Sequence, residues 1–206
     1  MNRIVLLIAL LAIFVMSGCL FIEAVEVRIR FPGKDQPPEV TLIYHNISSD
    51  AENQEKLQKD FAELIEYWQS MQDSAELAED GLLLQQRDID IVEGKLQVKT
   101  HALLTGTISE AFGEGGQSMI EAGITSNGER ILIMEGKEAE VTATNGKVYK
   151  TGKNYIVVWP EDLAEIYWIQ RMHHSQDDVK QAQRNRPAFI KMFNQYVQAE
   201  QQSQAK

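Results

Sequence analysis

The stretch MIEAGITSNGERILIMEGKEAEVTATNGKVYKTGKNYIVVW, residues 119–159, decides the fold. It consists of short apolar or β-branched runs separated by turn residues, and these runs are residues 119–125, 130–134, 139–143, 148–150 and 155–159. Asn127-Gly128 and Asn145-Gly146 lie between neighbouring runs. An Asn-Gly pair between β-like runs is a strong hairpin signal, because both residues accept a positive φ. The stretch therefore predicts an antiparallel meander.

Alternating patterns before this stretch predict further strands. Residues 25–31 alternate between apolar and charged side chains, which is the period of a half-buried strand. Residues 40–45 are apolar on both phases, which favours a more central strand. Glu93-Gly94 predicts a hairpin turn that leads into the alternating residues 96–104.

Helical spacing follows the second strand. One apolar stripe is formed by Leu57, Phe61, Leu64, Ile65 and Trp68. Because these positions share one face of an α-helix, we expect a helix over about residues 50–75. Ser49 and Glu52 have the spacing of a capping box at its start.

The carboxy-terminal part also predicts helices. Pro160 suits a first helical position, and the residues that would share one face of that helix are Leu163, Ile166, Tyr167 and Gln170. Ser175 and Asp178 cap a later segment, which Pro187 is expected to interrupt. The last apolar stripe is Phe189, Phe193, Tyr196 and Val197. We predict an α+β fold, a largely antiparallel sheet of hairpins with helices from about 50–75 and about 160–202 packed on it.

Composition bounds the function. The 206 residues carry a net charge of −10 and are 44% hydrophobic, which fits one ordinary globular domain. The negative balance argues against nucleic acid, which requires a basic surface, and against a basic patch for anionic lipid. Cys19 is the only cysteine, so neither a disulfide within the chain nor a cysteine-ligated metal is expected.

The amino terminus has the pattern of an export signal. Arg3 precedes an unbroken apolar run over residues 4–16, and Ser17, Gly18 and Cys19 follow. Met16-Ser17-Gly18-Cys19 resembles the bacterial lipobox. The resemblance covers residues 1–19 alone and implies cleavage between Gly18 and Cys19, with diacylglycerol on the cysteine sulfur. Two readings stay open beside it: an uncleaved signal anchor, since residues 4–22 are uncharged, and an ordinary signal peptide.

The resemblance implies the location, and the strand and helix patterns after residue 24 give the rest of the domain plan. Residues 1–18 would be the signal peptide, 19–24 the lipidated cysteine with a short tether, 25–198 one domain, and 199–206 a polar tail. The protein would sit in the bacterial cell envelope, on the outer membrane facing the periplasm if the cell is Gram-negative. Its partners would be the membrane and an envelope protein.

Chemical motifs are weak throughout the sequence. His173-His174 with Asp177 and Asp178 resembles a metal set, but adjacent histidines do not chelate as an i, i+4 pair does, and a helix end explains them. The glycine-rich residues 113–116 contain an acid and are not followed by Lys-Ser/Thr, so they do not predict a phosphate loop. We predict no metal, no cofactor and no catalytic residue.

Three aromatic residues are the candidate partner contacts. Trp159, Tyr167 and Trp168 cluster around the predicted helix start, where they would either pack the helix on the sheet or anchor a partner. The expected function is non-enzymatic binding or scaffolding at the membrane surface. The alternatives are a tethered enzyme that uses the glycine-rich loop and the histidines, and a carrier of apolar ligands.

Overall fold

A computed structural model describes residues 20–33, 35–69, 74–112, 120–136 and 139–204. The α+β prediction is confirmed, because two antiparallel sheets and four helices make up this part of the chain. The strands are β1 (Leu20–Phe21), β2 (Ala24–Arg30), β3 (Glu39–Ser49), β4 (Leu82–Val92), β5 (Lys95–Leu104), β6 (Ile120–Ile124), β7 (Arg130–Glu135), β8 (Ala139–Thr144), β9 (Lys147–Thr151), β10 (Asn154–Trp159) and β11 (Glu165–Met172). The helices are α1 (Gln54–Gln69), α2 (Ser74–Glu79), α3 (Ile108–Phe112) and α4 (Gln176–Gln204).

The larger sheet has seven strands in the order β4-β5-β3-β2-β11-β8, and β1 also pairs with β3. β1 and β2 share one register on β3, with Leu20 opposite Ser49 and Ala24 opposite His45. The break between them lies opposite Asn46, whose φ of 54° suits asparagine better than most residues. The buried residues of this sheet include Val25, Val27, Ile29, Val40, Leu42, Val98, Ile166 and Trp168. They occupy one face, so the other face is free to be polar.

The smaller sheet has four strands in the order β6-β7-β10-β9. Leu132, Met134, Val157 and Trp159 are buried on one of its faces. This face meets the core of the larger sheet, since the rings of Trp159 and Trp168 lie 5.8 Å apart. The residues of the predicted meander thus form both this sheet and one edge of the larger one.

The two Asn-Gly turns have different outcomes. Asn127-Gly128 joins β6 to β7 as a hairpin, as predicted. The hairpin prediction at Asn145-Gly146 is wrong, because β8 pairs with β11 in the larger sheet while β9 pairs with β10 in the smaller one. The Asn145 side chain joins the sheets there: its Oδ1 accepts from Trp159 Nε1 and from the Tyr167 amide, each at 2.9 Å. A Cβ at Gly146 would lie 2.5 Å from Trp159 Nε1, so the crossing needs glycine.

The predicted helix from Pro160 is wrong, because Glu165–Met172 is strand β11. β11 pairs with β2 on one side and β8 on the other, so tertiary pairing overrides the helical spacing. Alternation places Ile166 and Trp168 in the core, and Tyr167 points to the opposite face.

The other helices are confirmed with different ends. Asn53, not Ser49, caps α1 by accepting from the Lys56 amide at 2.9 Å, and Ser49 donates to the buried Asp60. Ser175 and Asp178 cap α4 reciprocally, as predicted. α4 runs through Pro187 to Gln204, so the predicted interruption is not found. Proline has no amide hydrogen, so Pro187 cannot donate to the carbonyl of Gln183 one turn earlier. Gln183 is exposed, so water can bond that carbonyl instead.

Candidate functional site

The polar face of the seven-stranded sheet has a buried carboxylate at its centre. Glu26 is 5% exposed and accepts hydrogen bonds from the Arg28 guanidinium and from His45 Nε2, the latter at 2.9 Å. Gln97 Nε2 lies 2.8 Å from His45 Nδ1, which is therefore the acceptor of the ring. The two ring nitrogens of His45 thus bridge Glu26 and Gln97.

Arg28 connects this carboxylate to the neighbouring strand. Its guanidinium lies 3.3 Å from Glu165 Oε1 and 5.0 Å from the centre of the Tyr167 ring. Partial burial lowers the pKa of the Arg28 guanidinium, but the carboxylates of Glu26 and Glu165 outweigh it and hold this pKa above its ordinary value. The cation is therefore fixed between two acids.

A cleft of about 390 Å³ lies beside Arg28. Thr41 Oγ1 and His101 Nδ1 are 3.3 Å apart in it. The nearest acid reaches His101 only at 4.0 Å, between His101 Nε2 and Asp88 Oδ2, which is too long for a hydrogen bond. His101 lies on the polar face, as the alternation of its strand predicted. Asp88 is too far away to orient His101 as a catalytic base through a hydrogen bond.

The charges that line the cleft are largely paired with one another. Arg30 Nη1 lies 3.5 Å from Glu39 Oε2, and Arg28 pairs with Glu165. Such a surface can hold a polar ligand by exchanging these contacts. Among the described residues that line the cleft, Arg28, Arg30, Glu39 and Glu165 are thus all in ion pairs.

The predicted lipidation and cleavage residues, Cys19 and Gly18, lie outside the described residues. The chain that follows Cys19 is already part of the fold. Leu20 and Phe21 pair with Ser49 and Ser48, and both are buried, at 6% and 4% exposure. Two residues of the segment predicted as a tether, Leu20 and Phe21, therefore form strand β1 of the larger sheet.

His173 and His174 lie between β11 and α4, so they precede a helix and do not end one. His174 Nε2 donates to the Ile22 carbonyl at 2.7 Å, and its ring lies 4.2 Å from the Phe21 ring. These contacts give His174 a structural role in fixing the amino terminus. In the part of the chain that the structure describes, His, Cys, Asp and Glu side chains form no group that could hold a metal. The glycine-rich residues 113–116 lie outside that part.

The three aromatic candidates are separated by the sheet. Trp159 and Trp168 are each 1% exposed and belong to the core, so neither is available to a partner. Tyr167 is partly exposed on the polar face beside Arg28. The two tryptophans pack in the core, which is the alternative to partner contact that the sequence also allowed.

An apolar groove lies between α1 and α4. Its volume is about 490 Å³, and its lining residues are Phe61, Ala62, Ile65, Glu66, Gln69 and Tyr196. The groove opens to solvent along one side. It is therefore unlike the enclosed dry cavity that the carrier alternative requires.

The outer face of the four-stranded sheet was not predicted from the sequence as a candidate surface. Ile131, Ile133, Ile156 and Val158 occupy the outer face of the four-stranded sheet, where Ile133 is opposite Ile156 and Ile131 is opposite Val158. All four are partly exposed, and among the described residues none joins the hydrophobic core. The sequence did contain a pattern that indicates this face, because residues 131–134 and 155–159 are apolar on both phases of the strand.

Comparisons of the chain with protein-family models, with curated proteins and with solved structures found no match. Across the described residues, no helix has both the length and the apolar character that crossing a bilayer requires.

Proposed function

We propose that this chain is a bacterial envelope lipoprotein that binds or scaffolds a partner at the membrane surface without catalysing a reaction. The observation that carries the proposal is strand β1, which includes Leu20, the residue directly after the lipobox cysteine. One residue spans at most about 3.6 Å. A lipid on Cys19 would therefore hold the domain directly against the bilayer, with no spacer between them.

The alternatives have less support. The enzyme alternative needs an acid within hydrogen-bond reach of His101, and Asp88 is 4.0 Å away. The carrier alternative needs an enclosed cavity, and the groove between α1 and α4 is open. Binding fits the paired charges of the polar sheet face and the partly exposed apolar face of the smaller sheet.

The test is the Cys19→Ala variant expressed from its own signal, with Ser17→Ala as the matched control. We expect the natural chain and Ser17→Ala to incorporate a labelled fatty acid and to remain in the membrane fraction at the mature mass. Cys19→Ala should incorporate no label. Membrane attachment of unlabelled Cys19→Ala at the mature mass would contradict the lipid anchor, and attachment at the full-length mass would assign residues 1–19 to an uncleaved signal anchor.

The binding role is tested by cross-linking the lipoprotein in cells and purifying it. We expect a defined envelope protein to be cross-linked at residues of the polar sheet face. The absence of any stable protein partner would contradict a scaffolding role.

A further inference from the structure

The chain contains two Asn-Gly pairs, and the structure places their asparagine side chains in different surroundings. Asn127-Gly128 lies in the turn between β6 and β7, and Asn145-Gly146 lies where the chain passes from β8 to β9. The local sequences are closely matched, since a hydroxyl residue precedes each pair and a charged residue follows it. A large difference in reactivity between the two asparagines is therefore expected to come from the fold.

An asparagine followed by glycine is open to an intramolecular reaction. The glycine nitrogen gives its proton to hydroxide and attacks Cγ of the asparagine side chain, which closes a five-membered succinimide. The side-chain nitrogen takes a proton from water and leaves as ammonia. Water then adds to either ring carbonyl and breaks its C–N bond, which leaves aspartate or isoaspartate. Glycine favours the attack because it has no side chain to hinder it and an adaptable backbone.

The Asn145 side chain is held away from this reaction by hydrogen bonds. Its Oδ1 accepts from Trp159 Nε1 and from the Tyr167 amide, each at 2.9 Å. Its Nδ2 donates to the Glu165 carbonyl at 2.8 Å. These bonds have to break before Cγ of Asn145 can approach the Gly146 nitrogen.

The Asn127 side chain has no such restraint. Asn127 is exposed, and within the part of the chain that the structure describes its side chain makes no hydrogen bond. Backbone bonds close the turn around it, from the Gly128 amide to Thr125 O at 3.0 Å and from the Thr125 amide to Glu129 O at 2.8 Å. Among the described strands β6 pairs with β7 alone, so this turn can open locally while the larger sheet stays intact.

We propose that Asn127 is a modification site, at which deamidation produces aspartate and isoaspartate, and that its hydrogen bonds protect Asn145. The new carboxylate adds a charge to a turn against which an acid already lies, since Glu161 Oε2 is 2.5 Å from the position that a Cβ on Gly128 would take. Isoaspartate also lengthens the main chain of the turn by a methylene group, which disturbs the backbone bonds that close it. This inference does not depend on the proposed membrane anchor.

The test incubates the purified protein in mildly alkaline buffer and follows both sites by peptide mass spectrometry. Replacement of an amide by a carboxyl raises the mass of the peptide, and backbone fragmentation distinguishes isoaspartate from aspartate. We expect Asn127 to be modified faster than Asn145 by about tenfold or more, because Asn145 reacts only after its three hydrogen bonds have broken. In urea, where the fold is lost, the two rates should agree within about threefold.

The control variant is Asn127→Gln, because glutamine would have to close a six-membered ring, which forms far more slowly. Asn127 does not have a positive φ, so glutamine fits its backbone conformation, and circular dichroism checks that the variant folds. We expect the mass increase to disappear from the peptide that contains residue 127. A mass increase that persists there would place the modification at another residue and overturn the proposal. Equal rates at both asparagines in the folded protein would also overturn it, as would a tenfold difference that persists in urea.

Discussion

The two sheets differ in what covers their faces. The seven-stranded sheet has one apolar face under α1 and α4 and one polar face, on which Glu26, Arg28 and Glu165 satisfy one another. The four-stranded sheet also has one buried face, that of Val157 and Trp159. Its outer face keeps four apolar side chains partly exposed beside Lys147 and Glu135, and these are Ile131, Ile133, Ile156 and Val158. Among the described residues, the smaller sheet thus leaves apolar side chains in contact with solvent where the larger sheet presents polar ones.

The largest effect is expected where the two sheets meet. Trp168 lies 5.8 Å, ring to ring, from both Trp159 and Phe112. Trp168→Ala should reduce the free energy of unfolding by about 3–5 kcal/mol, because a large cavity opens between the sheets. Urea unfolding of residues 20–206 measures this. A loss below about 1 kcal/mol would show that the two sheets are not joined by this core.

Two neighbouring residues of β10 sharpen the contrast between the faces of the smaller sheet. Val157 is fully buried, whereas Ile156 is partly exposed on the outer face. We expect Val157→Ala to cost about 2–3 kcal/mol of unfolding free energy. Ile156→Ala, although it removes more carbon atoms, should cost less than about 1 kcal/mol in solution. Equal costs would mean that the outer face is part of a core.

The smallest effect concerns Glu23, at the end of the larger sheet. Partial burial raises the pKa of the Glu23 carboxyl, but the hydrogen bond from Asn46 and the ammonium of Lys95 outweigh it and leave this pKa below the ordinary 4.5. The charged form is therefore stabilised by folding, so its contribution is complete above pH 4.5 and is lost as the pH falls through the folded pKa.

Glu23→Gln removes that contribution. Its urea midpoint should lie below that of the natural sequence near pH 7, and the difference between the two midpoints should shrink as the pH falls below 4.5. Lys191→Gln, on an exposed position of α4, is the control and should follow the natural sequence at both pH values. A difference between the midpoints of Glu23→Gln and the natural sequence that grows towards low pH would contradict the sign of the shift.

Local sequence predicted most elements of the fold but not all pairings. The alternation in residues 25–31 and the Glu93-Gly94 turn depend on neighbouring residues alone, and both predictions are confirmed, with φ values of 51° at Glu93 and 72° at Gly94. Asn145-Gly146 correctly marks a bend. Where the next strand pairs depends on Trp159 and Tyr167, which bond Asn145 from other strands, and no local pattern contains that information.

The segment 165–172 shows the same limit. Ile166 and Gln170 fit a helical face, but Ile166, Trp168 and Gln170 equally fit one face of a strand. Pairing with β2 and β8 decides between them. For the candidate site, the contact of Arg28 with Glu165 depends on the pairing of β2 with β11, and no local sequence pattern contains that pairing.

Hydrogen exchange of the acylated protein in anionic bilayers, compared with residues 20–206 in solution, tests the central claim most directly. The claim is that a lipid on Cys19 would hold the domain directly against the bilayer at strand β1. The account predicts slower exchange at residues 20–24 on the bilayer and unchanged exchange in β4 near Leu83, at an edge of the same sheet. Equal exchange of residues 20–24 in the two states would contradict it.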